Sequence, residues 1–322
     1  MDEQPLARQQ GGGDACECFP SPAPLPGEVI PEEQRRGAPP AFQALDEDTL
    51  REHFAAAISQ RGLWRPAVAD FERAARLPGL MATHPLQPAE TVQGALEIAH
   101  QVARTLAAVT GLESFSLQPA SEGDAIRAAL MVARRAFERT QPQRLEVIAP
   151  QEHPSLGVAR DLGLRVLETA RLPAGELDLD ALSGLAGEAT LVVIASWLGP
   201  SGRFEPNIAA AADVAHAHGA LMCLDATGWH RLTGTVRARD AGADLACLPL
   251  SELSPLVSGV ALGVRAELTE ALPLPLVGKE RRGFILDTDL PRSIGRMALA
   301  PARLPEVLAA YLAIRRRGGA GL

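Results

Sequence analysis

Between residues 115 and 248 short apolar runs alternate with helix-patterned stretches, and this alternation constrains the chain more than any other feature. The runs occupy 115–117, 145–148, 164–167, 191–194, 221–224 and 245–248. Stretches 124–138, 155–162 and 207–218 lie between them and repeat apolar residues every three or four positions. Strand, helix, strand in that order predicts an α/β fold, with a mostly parallel sheet flanked by helices. Val92, Leu96, Ala99, Val102 and Leu106 predict a further helix over 90–108, and Asp46 is a plausible cap for another that carries Leu50, Phe54 and Ala57. Residues 1–45 are different. They hold eight of the 26 prolines and the run Gly11-Gly12-Gly13, a composition that cannot offset backbone ordering with buried apolar area. A flexible Pro/Gly-rich arm is expected there, followed by one large domain over 46–300 and a C-terminal helix over 301–322.

Charge narrows the partners. The formal net charge of -8 provides no broad positive field for nucleic acid or an anionic membrane surface. No apolar run approaches the ~18 residues of a membrane span, and Met1-Asp2-Glu3 lacks the basic start of a secretory signal. A soluble cytoplasmic protein is expected. Cys16, Cys18, Cys223 and Cys247 are too scattered for a disulfide framework, and the Cys16-Glu17-Cys18 pair lacks the second ligand pair of a zinc site. No metal is expected. Lysine is the telling count: Lys279 is the only one in the chain, which limits any chemistry that requires an amine.

In parallel sheets ligands collect beyond the carboxyl ends of the strands, so the residues after each run carry the functional reading. After Leu117 comes Gln118-Pro119-Ala120-Ser121-Glu122-Gly123-Asp124, a helix start where a phosphate could meet free N–H groups. Glu122 and Asp124 oppose that use, because like charges repel a phosphate, and they suit a first helical turn with no ligand. His153 follows the second run and reads either as a stacking or proton-transferring imidazole or as a satisfied loop residue. Asp225 closes the fifth run and reads either as a partner for a protonated ring nitrogen or as a cap. His216 and His218, two apart at a helix end, point to different faces and suit the surface. No P-loop, Gly-x-Gly-x-x-Gly turn or nucleophile elbow is present.

Longer motifs then become recognisable. Leu77-Pro78-Gly79, the block His84-Pro85-Leu86-Gln87-Pro88-Ala89-Glu90-Thr91-Val92-Gln93-Gly94-Ala95-Leu96-Glu97, and Leu117-Gln118-Pro119-Ala120 resemble the glycine cleavage system P-protein, glycine dehydrogenase (decarboxylating), in its C-terminal half or second subunit. Phe204-Glu205-Pro206-Asn207-Ile208, Leu224-Asp225, Leu274-Pro275-Leu276-Val277 and Pro291-Arg292-Ser293-Ile294-Gly295-Arg296 extend the resemblance in order, over roughly residues 30 to 322. It implies the large domain of a fold type I pyridoxal-phosphate enzyme, with most of the small C-terminal domain missing. It also implies that Asp225 matches the carboxylate facing the pyridine nitrogen and His153 the histidine stacked on the ring.

The departures concern the cofactor. The family's Leu-His-Lys-Thr motif corresponds to Leu250-Ser251-Glu252-Leu253, which puts Glu252 where the Schiff-base lysine belongs. A coding bias against lysine would give arginine, so it does not explain a carboxylate. Glu122 and Ala125 replace the two glycines of the phosphate turn, the loop 254–259 is shortened, and the segment between Gln60 and Leu77 lacks the family's Gly-Ser-Cys-Thr-Met-Lys motif. No pyridoxal phosphate is therefore expected, and Asp225 and His153 are expected as vestiges of its site. The expected role is a non-catalytic or assembly subunit, in a homodimer or with another P-protein-like subunit. The alternative is a working glycine decarboxylase subunit completed by a partner chain. Sheet topology would gather Glu122, Asp124, Asp225 and Glu252 in one cleft with His153 as its basic group, unless Glu122 and Glu252 turn outward to water.

Overall fold

The structure, a computed structural model, describes residue 84 and residues 87–253, 259–300, 302 and 304–317. The Pro/Gly-rich arm, the helix beyond Asp46, the Cys16 and Cys18 pair, the segment between Gln60 and Leu77 and most of the shortened loop lie outside the described residues.

A seven-stranded sheet organises the rest. In chain order the elements are α1 (Gln93–Thr110), β1 (Ser114–Ser116), α2 (Glu122–Phe137), β2 (Glu146–Pro150), α3 (Ser155–Asp161), β3 (Arg165–Thr169), α4 (Leu179–Leu185), β4 (Thr190–Ser196), α5 (Ile208–Ala217), β5 (Leu221–Asp225), α6 (Trp229–Leu232), β6 (Leu245–Pro249), β7 (Val260–Val264), the hairpin β8 (Leu276–Glu280) and β9 (Gly283–Asp287), and α7 (Leu304–Arg317). Sheet order is β1-β7-β6-β5-β4-β2-β3. β3, β2, β4, β5 and β6 run parallel, whereas β7 is antiparallel to both β6 and β1. The sheet is thus mostly parallel, as expected. Each of the six apolar runs falls on a strand or overlaps one. β7, the two-stranded hairpin and the short helices α4 and α6 were not anticipated, because no helix-patterned stretch of sequence precedes Val260–Val264 and α6 has only one turn.

Burial on both faces explains why the central strands read as unbroken apolar runs instead of alternating ones. Every residue of β4 is buried. Alternate residues feed two cores: Val193, Ala195, Met222 and Leu224 pack with α1, α5 and α7, while Ile194, Leu221, Cys223 and Cys247 pack with α2 and α3. α2 begins where Ser121 Oγ accepts the Asp124 N–H at 3.2 Å, and its first turn carries Glu122 and Asp124 against the positive end of the helix dipole. α1 ends at Gly111, whose φ of 74° lets the chain leave the helix in the left-handed region.

Four side chains from the segments that carry the P-protein resemblance are internal staples. Gln93 holds the β9 backbone with both ends of its amide, donating to Phe284 O at 2.7 Å and accepting from Phe284 N at 2.8 Å. Gln118, 2% exposed, donates to the carbonyls of Pro273 and Pro275 and accepts from the N–H groups of Met297 and Ala298. Glu205, 2% exposed, accepts from Leu177 N–H at 2.9 Å and Asn207 N–H at 3.2 Å and pairs with Arg171 at 3.2 Å. Burial pushes the Glu205 carboxyl up, against the pull of those donors. Arg292 reaches the carbonyls of Arg135 and Ala136 at the end of α2.

At the far edge of the sheet the buried Asp244 accepts from Met222 N–H at 2.8 Å and Arg265 at 2.6 Å, and it also binds His216 Nε2 at 2.8 Å. His216 therefore lies at the surface with its outer side only, and its ring is part of a buried-carboxylate network. Lys279 sits on β8 with its Nζ 5.8 Å above the Phe284 ring.

Replacing Gln118 with Leu should cost about 2–3 kcal/mol, because two carbonyls and two N–H groups lose their partners where water cannot replace them. The urea midpoint should fall with the slope unchanged. A midpoint equal to that of the parent chain would show that Gln118 is dispensable.

Candidate functional site

Parallel register places the ends of three strands side by side. Ser196 pairs in register with Asp225, and Asp225 with Cys247. All three belong to the sheet face that α2 covers. This is the carboxyl edge of the parallel strands, where the sequence directs attention, and the N-terminus of α2 opens onto the same edge.

His153 lies between Ser155 and Ser196 and is buried. The Ser155 N–H donates to its Nδ1 at 3.1 Å, and the Ser155 hydroxyl lies 2.7 Å from the same nitrogen. Nδ1 is thus an acceptor, and the ring proton is on Nε2. Nε2 in turn lies 3.1 Å from Ser196 Oγ and 3.4 Å from Asp225 Oδ2. The Ser196 hydroxyl donates to that same Oδ2 at 3.1 Å, while Oδ1 accepts both the N–H and the hydroxyl of Thr227, at 3.1 and 2.8 Å. Three hydrogen bonds from the chain's own donors, with His153 beside them, thus engage both oxygens of Asp225. Burial works to raise its carboxyl, but the bonds from His153 and Thr227 outweigh burial and hold it below the ordinary aspartate value of 3.8.

Glu252 ends a short 3₁₀ turn after β6. Its side chain is turned inward: Oε1 accepts the Gly228 N–H at 2.5 Å, and Oε2 accepts from His230 Nδ1 at 2.7 Å. Glu122, at the first position of α2, is exposed at the rim yet close enough to feel the others. Burial first, then the charges of Asp225 and Glu252, raise its carboxyl above the ordinary 4.5, and His153 acts the other way. Beneath them the Cys247 thiol is pushed well up by its hydrogen bond with Cys223 and by full burial, so it is a structural thiol and not a nucleophile.

The cleft therefore gathers Glu122, Asp225, Glu252 and His153, as the strand-end argument expects. One alternative is settled for Glu252: it does not turn outward to water, because His230, a second basic side chain in the cleft, holds it. Asp124 shares the first turn of α2 with Glu122, and its backbone N–H donates to the Ser121 cap. Ser196, Thr227 and His230 were missed as functional partners. Ser196 closes β4 just as Asp225 closes β5, so the same strand-end rule could have found it. Nothing in the sequence betrayed His230, whose position depends on the left-handed Gly228 (φ 90°) before it. Among the described residues no three His, Cys, Asp or Glu side chains converge to hold a metal ion, and no helix is long and apolar enough to cross a membrane.

A mostly parallel sheet that presents a strand-end aspartate, a histidine beside it and a helix N-terminus at one edge is the large-domain architecture of the fold type I pyridoxal-phosphate enzymes. A solved structure of glycine decarboxylase, the P-protein of the glycine cleavage system, in inhibitor-bound form, has the same fold, with a TM-score of 0.66 and 20% identity; the match covers 91% of this chain and 71% of that one. Among curated relatives, the probable glycine dehydrogenase (decarboxylating) subunit 2 of Kosmotoga olearia is 32% identical over 235 residues, which is 70% of this chain and 49% of the relative. That of Exiguobacterium sibiricum is 34% identical over 263 residues, or 78% and 53%. No family model matches. Within the fold type I class, this chain is a homologue of the glycine dehydrogenase (decarboxylating) subunit 2 proteins and spans about half the length of the relatives it matches.

Because the Glu122 carboxyl is raised in the folded protein, its contribution to stability is fully present below pH 4.5 and is lost as pH rises through its folded value. Glu122→Gln should accordingly stabilise the protein at pH 7, by no more than ~1 kcal/mol at so exposed a site, and should leave it unchanged below pH 4.5. Thermal melts of both proteins across pH 4 to 7 check this, and a gain that persists at the acid end would contradict it.

Proposed function

We propose that the chain is a non-catalytic member of the glycine dehydrogenase (decarboxylating) subunit 2 group, which keeps the fold in order to associate with another P-protein-like chain or with a second copy of itself. The observation that carries this reading is the Glu252 carboxylate at the position where the resemblance puts the cofactor lysine, with both oxygens already engaged by Gly228 and His230.

The residues present do not fit pyridoxal phosphate. A Schiff base needs an amine, and the chain's single lysine lies on the hairpin over Phe284, away from the strand ends. A phosphate at the start of α2 would meet Glu122, whose carboxyl already experiences the charges of Asp225 and Glu252. The Ser121 hydroxyl that could face it is used as the helix cap. His153 presents its edge to Ser196 and Asp225 and takes up the carboxylate that a pyridine nitrogen would need. We accordingly read Asp225 and His153 as vestiges of a cofactor site, now serving the fold.

The retained motifs support the same reading. Gln93, Gln118, Glu205 and Arg292 all bind backbone or a buried partner, so what survives of the resemblance is what holds the fold together. The second reading, a decarboxylating subunit that a partner chain completes, draws on the name of the relatives and on the half of their length that this chain does not span.

Four measurements test the proposal. The purified protein should incorporate no pyridoxyl group on borohydride reduction and peptide mapping, and it should not exchange the carboxyl of glycine with bicarbonate. Glu252→Lys should stay colourless with micromolar pyridoxal phosphate, since Glu122 remains at the start of α2 and Asp225 stays engaged by Ser196 and Thr227. A labelled Lys279, or carboxyl exchange by the parent chain, would favour the second reading; a yellow Glu252→Lys variant would show that the site still fits the cofactor and lacks only the amine. Light scattering should show an assembly larger than the 34.0 kDa chain, alone or with a P-protein-like partner added. A stable monomer that captures no such partner would remove the assembly role.

A further inference from the structure

The turn after β5 and the turn after β6 are stitched together at three points. Glu252 Oε1 accepts the Gly228 N–H at 2.5 Å, Glu252 Oε2 accepts from His230 Nδ1 at 2.7 Å, and the indole N–H of Trp229 donates to Pro249 O at 3.0 Å. The geometry leaves little slack. Gly228 has φ 90°, and a Cβ there would stand 2.9 Å from Leu198, so the turn is pressed against the loop that follows β4. The side chains of Glu252 and His230 are only 14% and 21% exposed. Two features make the Glu252 contacts count for more than a surface ion pair. The Gly228 N–H is a buried donor, and an orphaned buried donor is costly; the carboxylate also makes both bonds at once, so one side chain orders two turns.

We infer that Glu252 is an internal tie: a positioning residue that locks the β5 turn onto the β6 turn. In a parallel sheet adjacent strand-end loops share no backbone hydrogen bonds beyond the last ladder pair, which here is Asp225 with Cys247. Beyond that pair only side chains can couple the loops, and Glu252 spans them from the β6 side. A carboxylate suits the task because both groups it meets are donors, whereas a lysine at the same place would set an ammonium against an N–H and an imidazole N–H. The inference rests on these contacts alone and holds whether or not the chain is catalytic.

Amide hydrogen exchange on the full-length protein tests it, with Glu252→Ala, Glu252→Gln and His230→Ala compared with the parent chain. Local opening of a turn is read directly in its exchange rates. In Glu252→Ala, exchange in peptides covering 225–232 should rise about tenfold or more, while peptides covering β2 keep the parent rate. Glu252→Gln keeps one acceptor oxygen for Gly228 and should show a smaller rise. His230→Ala should loosen the same peptides, and combining it with Glu252→Ala should add little, because the two act through one bond. Unchanged exchange at 225–232 in Glu252→Ala would overturn the inference. So would an equal rise in β2, which would mark general destabilisation instead of a tie. If Glu252→Ala does not fold, the Gln and His230 variants decide, and rates equal to the parent chain in both would overturn the inference.

Discussion

The register between β4, β5 and β6 is the constraint on which the rest of the site depends. Because these strands run parallel and in step, Ser196, Asp225 and Cys247 arrive at one edge on one face, at the spacing of neighbouring strands. A slip of one residue would send Asp225 into the opposite core, where Met222 and Leu224 pack against α1 and α5. Continuous apolar sequence on both faces gives no pattern by which to choose that register. What enforces it is the polar group at each strand end, which must find partners at the rim or be buried without them.

That rim is internally satisfied. Asp225 receives donors from His153, Ser196 and Thr227, and Glu252 receives donors from Gly228 and His230. Each carboxylate is bonded by groups of this chain and offers little to an incoming ligand. The contrast with the rest of the molecule supports a single account. Where the sequence resembles the P-protein, residues such as Gln118 and Glu205 bind backbone deep in the fold; where it departs, at Glu122 and Glu252, the changes fall on the strand-end cleft. The proposed non-catalytic role rests on this contrast.

Buried polar groups organise both edges of the sheet by the same means. At one edge Asp244 gathers Met222, His216 and Arg265; at the other Asp225 gathers His153, Ser196 and Thr227. Both meet the requirement that a charge taken from water be paired and hydrogen-bonded. Neither arrangement needs a bound ion.

The sequence by itself determined the class of fold. Apolar runs of three or four residues set between helical repeats admit few solutions other than a mostly parallel sheet with helices on both sides, and the strand ends it marked, at Leu117, Ile148 and Leu224, are the ends that face the cleft. It also marked Glu252, because an acid in place of an amine is a chemical statement that needs no coordinates. Tertiary structure alone decided what that acid does. Whether Glu252 meets water or His230 depends on the left-handed Gly228, on Leu198 packed against it and on the packing of α6, and these contacts join residues more than twenty positions apart. The same holds for β7, whose antiparallel place between β1 and β6 rests on pairing with residues such as Ser114 that are remote in the chain. Local pattern reports which segments must be buried; it says nothing about which distant donor will reach a given carboxylate, because that is set by how the loops pack once the sheet has formed.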